Sequence, residues 1–409
     1  MRDVLCIGYS CPPLLDPQSI LLAKMLRPLR EHGLLFHVVA LDPASCQTRT
    51  DASLERMLPA ETRVARIAAS ENRLWFRALT RAVPWLLRVP DKHLAVHPRA
   101  MRAARALAAK VRPSALFSWA QYHSCSLVAL RLKGQLGLPW VAHFSDPWHM
   151  NPYRTPGHAE RWINARLEQA VVSAADRIVF VSEETRDATM ARYPQSFREK
   201  AHVIPHCFEA ELYPAERTPH PGIVIRHIGH FYGARGLRPL LEAVQKLRAD
   251  SPAMLADVSF ELVGRIREPE VADVRGMGLE DLVRLRPGVS YRESLREMRD
   301  ADVLLLVEAP AATSMFLPSK LVDYLGSGTP ILALTPRGGP AARLLAATGD
   351  AVVQPDDVGG IAAALARIIE RQHAGRNGAR PGRAEVVARL ESRSTTKALA
   401  DVFSRLPVR

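Results

Sequence analysis

Short apolar runs alternate with longer stretches of helical period from one end of the 409-residue chain to the other, which is the pattern of parallel strands flanked by helices. In the first half, the runs at 4–9, 35–41, 115–118, 140–144, 178–181 and 203–204 read as strands. Helical spacing over 19–32, 99–110, 124–135, 159–174 and 183–193 separates them. A proline-rich break at 211–221 carries no hydrophobic periodicity and reads as a linker. The alternation then restarts, with strand runs at 223–228, 258–263, 283–285, 303–307 and 331–334. The pattern predicts two doubly wound α/β domains, over 1–215 and 216–380. Residues 374–383 read as a flexible turn, and 384–406 as one closing helix within a 381–409 segment placed to cross back to the first domain.

Composition changes this picture little: 47% hydrophobic and 24% charged residues are ordinary globular values, enough for two cores. No stretch reaches the length of a membrane span, and the apolar run at 4–7 is too short for a signal core. The expected location is cytoplasmic, with a peripheral position on the inner face of the membrane. Cys6, Cys11, Cys46, Cys125 and Cys207 are scattered, with no metal-cage or disulfide spacing, and read as small buried hydrophobes.

Charge changes it more. The formal charge is +13, and the window 63–112 holds 12 Lys/Arg against only Glu71 and Asp91. With Trp75, Phe76, Trp85, Leu86 and Leu87 interleaved, this window fits an amphipathic surface on anionic lipid. A core-facing helix with solvated arginines fits equally. No helix-turn-helix, zinc-finger or RNP-like pattern accompanies the charge, so a nucleic-acid partner is not expected.

The candidate chemistry lies at strand ends. The first strand runs into Gly8, Tyr9, Ser10, Cys11, Pro12 and Pro13, without the glycines that let a dinucleotide pyrophosphate approach, which argues against a nicotinamide dehydrogenase. The run at 223–228 ends in Gly229, His230, Phe231, Tyr232, Gly233, Ala234, Arg235 and Gly236, and a helix follows. Three glycines, unpaired helix N–H groups and a fixed cation make a seat for a diphosphate; the glycines alone could equally be turn geometry. A second cluster places Pro318 at a helix start, Lys320 as a second cation and Asp323 one turn on, either as a carboxylate for ribose hydroxyls or as half of a surface ion pair. In the first domain Asp146 and Trp148 directly follow a strand. Asp146 could orient or deprotonate an acceptor hydroxyl, assisted by His123 or His143, or it could cap a helix.

The pairing of HIGHFYGARGLRPLLEAV with FLPSKLVDYLGSGTPILAL, joined by PGVSYRESLREMRDADVLLLV, resembles the donor-binding domain of the family 4 glycosyltransferases. PWVAHFSDPW, AADRIVFVSEETRDATMARYP and HVIPHCFE extend the resemblance over nearly the whole chain, toward the bacterial surface-polysaccharide branch. It implies an α/β GT-B fold: two Rossmann-like domains facing a central cleft. It further implies a glycosyltransferase that moves a sugar from a UDP- or GDP-linked donor to a lipid-linked or polysaccharide acceptor, with retention and with no metal or cofactor. By the same resemblance, Arg235 and Lys320 bind the diphosphate, Asp323 stands for the ribose-binding glutamate, and Val289 and Ser290 lie beside the base. Gly229, His230, Ser319, Gly338 and Gly339 complete the donor site. One departure stands out: Met315 occupies the place of the first member of the family's glutamate pair. Either backbone groups and Ser319 grip the sugar, or activity has been lost and the chain is a non-catalytic partner of another glycosyltransferase. A nucleotide-sugar 2-epimerase would need acidic residues over the sugar, and the missing glutamate argues against it.

Overall fold

The computed structural model describes residues 1–70, 73–152, 157–231, 233–375 and 382–407, with the side chains of Leu86 and Leu87 excepted. Tyr232 of the glycine loop, much of the expected turn at 374–383 and the Leu86–Leu87 part of the basic window therefore lie outside the described residues. Two compact units emerge: Met1–Cys207 with Ser392–Arg409, and Phe208–Glu391.

In the first unit, β1 (Arg2–Ile7), β2 (Leu34–Leu41), β3 (Val64–Ile67), β4 (Ala115–Ala120), β5 (Trp140–Phe144), β6 (Arg177–Phe180) and β7 (Ala201–Val203) form one sheet. Its order is β3-β2-β1-β4-β5-β6-β7, parallel throughout. The intervening helices are α1 (Pro17–Glu31), α2 (Leu74–Ala82), α3 (His97–Val111), α4 (Ser124–Leu136), α5 (His158–Ala174), α6 (Glu183–Met190) and α7 (Gln195–Arg198). Strands β2, β4 and β5 are buried at every position, as parallel strands covered on both faces must be. One face packs Leu5, Ile7 and Leu116 under α3, α4 and α5. The other packs Val4, Phe36 and Phe117 under α1 and a helix from the far end of the chain.

The second unit repeats the plan with β8 (Ile223–Ile228), β9 (Val258–Val263), β10 (Val283–Arg286), β11 (Val303–Val307), β12 (Ile331–Leu334) and β13 (Ala351–Val353). These run parallel in the order β10-β9-β8-β11-β12-β13. Its helices are α8 (Arg238–Asp250), α9 (Glu268–Gly276), α10 (Tyr291–Asp300), α11 (Ser319–Ser327), α12 (Pro340–Thr348), α13 (Val358–His373) and α14 (Arg383–Leu390). In both sheets the direction of strand succession reverses between two central neighbours, β1 and β4 in one and β8 and β11 in the other. Ligands of doubly wound sheets collect beyond the strand carboxyl ends at such reversals.

Three sequence-based expectations are corrected. The edge strands β3 and β13 were not anticipated, because Val-Ala-Arg-Ile and Ala-Val-Val are too short and too mixed to register as apolar runs. The expected linker at 211–221 is packed onto the second unit: Tyr213 donates its hydroxyl to the Asp323 carbonyl at 2.8 Å, and Arg217 reaches Asp302 at 3.0 Å. The single closing helix is two. Glu391 is extended, with φ −65° and ψ 144°, and forms a parallel bridge with Phe208. Helix α14 thus stays in the second unit, while α15 (Ser392–Ser404) belongs to the first and packs on α1.

Candidate functional site

The reversal between β8 and β11 brings two predicted cations together. Strand β8 leaves the sheet through Gly229 at φ +136°, where a Cβ would lie 2.4 Å from Lys320 Nζ and leave no room for the ammonium. The following loop carries Arg235, largely buried, with Nη2 3.9 Å from Glu308 Oε1. Arg267 staples this loop by donating to the Arg235 carbonyl at 2.8 Å and the Gly233 carbonyl at 3.2 Å. Helix α11, capped by Pro318, brings Lys320 in from the β11 side, 3.4 Å from His227 Nε2. Tyr324, one turn on, locks the helix to β8 by accepting the Ile228 N–H at 2.9 Å.

The electrostatics follow from this crowding. His227 Nδ1 donates to the Leu305 carbonyl at 2.8 Å, which leaves Nε2 as the acceptor facing Lys320. Burial and the Lys320 ammonium hold that imidazole well below the ordinary histidine range, so it is neutral. Burial, and then the Arg235 guanidinium, pull the Lys320 amine down to about 7, with Glu308 opposing. Glu308 is buried one residue past β11; burial pushes its carboxyl up, while the Thr335 hydroxyl, Arg235 and Lys320 pull it down. Such a site gains from a polyanion that settles both cations at once.

Asp323 faces the same unit's interior. It is 6% exposed, and its Oδ1 accepts the Tyr291 hydroxyl at 3.3 Å, so the reading as a solvated surface ion pair does not hold. Ser319 opens α11 beside Lys320. Ser290 is the N-cap of α10, in a reciprocal capping box with Glu293; Val289 precedes it, three residues past the end of β10. His230 is exposed, and its Nδ1 accepts the Arg265 N–H at 2.9 Å, tying two loops together. Gly338 bridges to Thr313, and Gly339, at φ +144°, packs against Ser314 so closely that a Cβ would come within 2.4 Å of its carbonyl. These glycines fix the course of the segment between Glu308 and Met315.

The remaining candidates lie in the first unit. Asp146 follows β5 in a loop pinned by Trp148, whose indole donates to Asn164 at 2.8 Å, and by Glu168, which accepts the His149 N–H at 2.9 Å. His123 stacks on Trp148 at 4.4 Å, with the rings nearly parallel, at the start of α4. His143 packs on the opposite face of the sheet, stacked on Trp119 at 4.2 Å and bordered by Leu21, Met25 and Leu399. Burial pushes it well below the ordinary range, as befits a neutral core imidazole. Sequence reasoning missed His227 and Glu308. A histidine inside the apolar run of β8 and a carboxylate directly after the apolar run of β11 were the available signals. Among the described residues no cluster of metal-ligating side chains is present.

Known proteins share this arrangement. The model described as Glycosyltransferase Family 4 matches residues 24–212, and that described as Glycosyl transferases group 1 matches 222–371. The MMP alpha-(1->4)-mannosyltransferase of Mycolicibacterium hassiacum is 25% identical over 292 residues, 66% of this chain and 65% of that protein. Matches to the curated relatives span between 47% and 65% of those proteins' own length. Among solved structures, HepE of Anabaena in complex with UDP superposes with a TM-score of 0.66 at 15% identity, covering 99% of this chain and 100% of that one. UDP-GlcNAc 2-epimerase of Neisseria meningitidis bound to UDP-GlcNAc gives 0.59 at 12%, covering 99% and 100%. At these identities the superpositions speak for the fold alone. Two adjoining family models laid over two parallel, doubly wound sheets give this chain the GT-B fold and a similarity to the family 4-like glycosyltransferases that runs through both units.

Proposed function

We propose that the chain transfers a sugar from a UDP- or GDP-linked donor to a lipid-linked or polysaccharide acceptor, with retention and without a metal. The observation that supports the reading best is the meeting of Arg235 and Lys320 beside Glu308 at the β8/β11 reversal. Two cations and the first turn of α11 would stabilise the charge that develops on a departing nucleoside diphosphate, the role a metal fills elsewhere. Asp323 and Ser319 would hold the nucleoside and sugar hydroxyls, with Val289 and Ser290 near the base and Gly338 and Gly339 lining the donor's path. In the first unit Asp146 would orient or deprotonate the acceptor hydroxyl, with His123 packed behind its loop. An acceptor on lipid accords with the exposed aromatic and basic surface of that unit, which would rest on an anionic membrane.

Isothermal titration tests the donor site. Arg235→Ala and Lys320→Ala should each weaken UDP or GDP binding by about 1–3 kcal/mol, the worth of a hydrogen bond to a charged group. Unchanged affinity in both variants would sink the assignment. Release of UDP or GDP from the corresponding nucleotide-sugar on adding acceptor separates transfer from a purely partnering role, and recovery of an epimerised donor sugar would mark a 2-epimerase instead.

A further inference from the structure

The cations of the β8/β11 reversal share a third charged partner that the proposed transfer does not use. Glu308 is 2% exposed. One carboxylate oxygen accepts the Thr335 hydroxyl; the other, Oε1, has no hydrogen-bond donor among the described residues and stands 3.9 Å from Arg235 Nη2. A buried carboxylate oxygen without a donor is costly. It persists here because two cations offset it through charge alone, and those cations would be better satisfied by a phosphate oxygen. We propose that Glu308 is a positioning residue, a resident anion that holds Arg235 and Lys320 at the reversal until a diphosphate takes over as their partner, so that diphosphate capture is coupled to proton uptake. This rests on the reading of the site as a donor site.

The proton belongs to Lys320. His227 faces it from β8, Arg235 from the β8–α8 loop and Glu308 from the end of β11; Asp323, on its own helix, is engaged by Tyr291. His227 is neutral and accepts from the ammonium, and Arg235 repels it. Of the charged groups that act on Lys320, Glu308 is the one that favours the ammonium, against the burial and the Arg235 charge that pull the amine down to about 7. A bound diphosphate favours the ammonium strongly. Below that pH the proton is already present, and above it binding must bring one in. Affinity therefore falls as pH rises, approaching about tenfold per pH unit. The ligand's own terminal phosphate, with a pKa of about 6, is fully ionised over that range and does not contribute to the fall.

The experiment is titration of the full chain with UDP and GDP between pH 6 and 9, in pairs of buffers with different ionisation heats, on the wild type, Glu308→Gln and Glu308→Asp. The wild type should take up close to one proton per nucleotide at the alkaline end. Glu308→Gln keeps the size and the Thr335 contact but removes the charge. It should bind at least as tightly as wild type at pH 6, where a repelling carboxylate has gone, and begin its decline at lower pH, so that the order of affinities inverts by pH 8. Glu308→Asp should restore the wild-type break. A Glu308→Gln affinity reduced by one common factor at every pH would mean that Glu308 only supports the fold. Wild-type affinity that stays flat from pH 7 to 9, without proton uptake, overturns the proposal while leaving the donor site standing. Absence of any UDP or GDP binding to the wild type overturns the donor site itself, and this inference with it.

Discussion

At the scale of single residues, the candidate site is built from what is missing as much as from what is present. Gly229 has no side chain where the Lys320 ammonium lies, and its φ of +136° is one that L side chains rarely adopt. Gly229→Ala should therefore push the ammonium off the reversal and weaken UDP or GDP binding about tenfold or more, the loss expected for one displaced charged hydrogen bond. Titration calorimetry reads this directly, and an affinity equal to wild type would show that Lys320 does not bind through that position. Arg235 and Lys320 were legible in the sequence because each stands beside residues whose backbone geometry advertises a ligand: glycines in one case, a helix-opening proline in the other. Glu308 and His227 were not. Each is attached to an apolar run that hydrophobic patterning assigns to the core, and only the pairing of β8 with β11 shows that both meet the cations.

At the scale of elements, α2 turns most of its side chains outward. Only Phe76 of its described side chains is buried, while Leu74 is 82% and Trp75 53% exposed. Trp85 follows, and Arg88 then grips Glu160 at the start of α5 with an Nε–Oε2 distance of 3.0 Å. Two residues on stands Trp162, 62% exposed, with the Arg166 guanidinium 5.5 Å from its ring centre. The apolar and basic surface read from 63–112 thus reaches a second helix that the charge window did not include. Here the packing bears on the two readings of the sequence: most of α2 faces outward. Sedimentation with anionic vesicles should carry the protein down, and replacing Arg77, Arg81 and Arg88 should release it, at about 1 kcal/mol per basic residue near the surface. Trp75→Ala with Trp162→Ala should release it as well; binding indifferent to both sets removes the membrane from the proposal. Strand by strand, the central elements were legible and the edges were not. β5, β8, β11 and β12 are buried at every position, whereas β3 and β13 owe their strand character to the neighbour they pair with.

At the scale of the molecule, the last helix completes the first unit. Phe403 on α15 is fully buried, with ring centres 5.7 Å from Phe36 and 5.9 Å from Phe117. Phe403→Ala should cost the first unit about 3–5 kcal/mol, the usual loss for a large buried aromatic. Denaturant unfolding monitored in that unit would show it, while UDP or GDP affinity, carried by side chains of the second unit, should change little. Stability equal to wild type would mean that α15 closes nothing.

The alternation of apolar runs and helical spacing, by itself, determines that this chain builds two parallel α/β units, because strand and helix each impose a period that the residues must match. It also determines that cations and glycines stand at the strand ends of the second unit. Only the tertiary structure decides where each unit stops, since Tyr213, Phe208 and Glu391 choose sides by what they pack against or pair with. It alone also sets a carboxylate from one strand against cations from two other segments. Charges far apart in sequence interact through distance in space and through exclusion of water, and neither is written in the order of the residues.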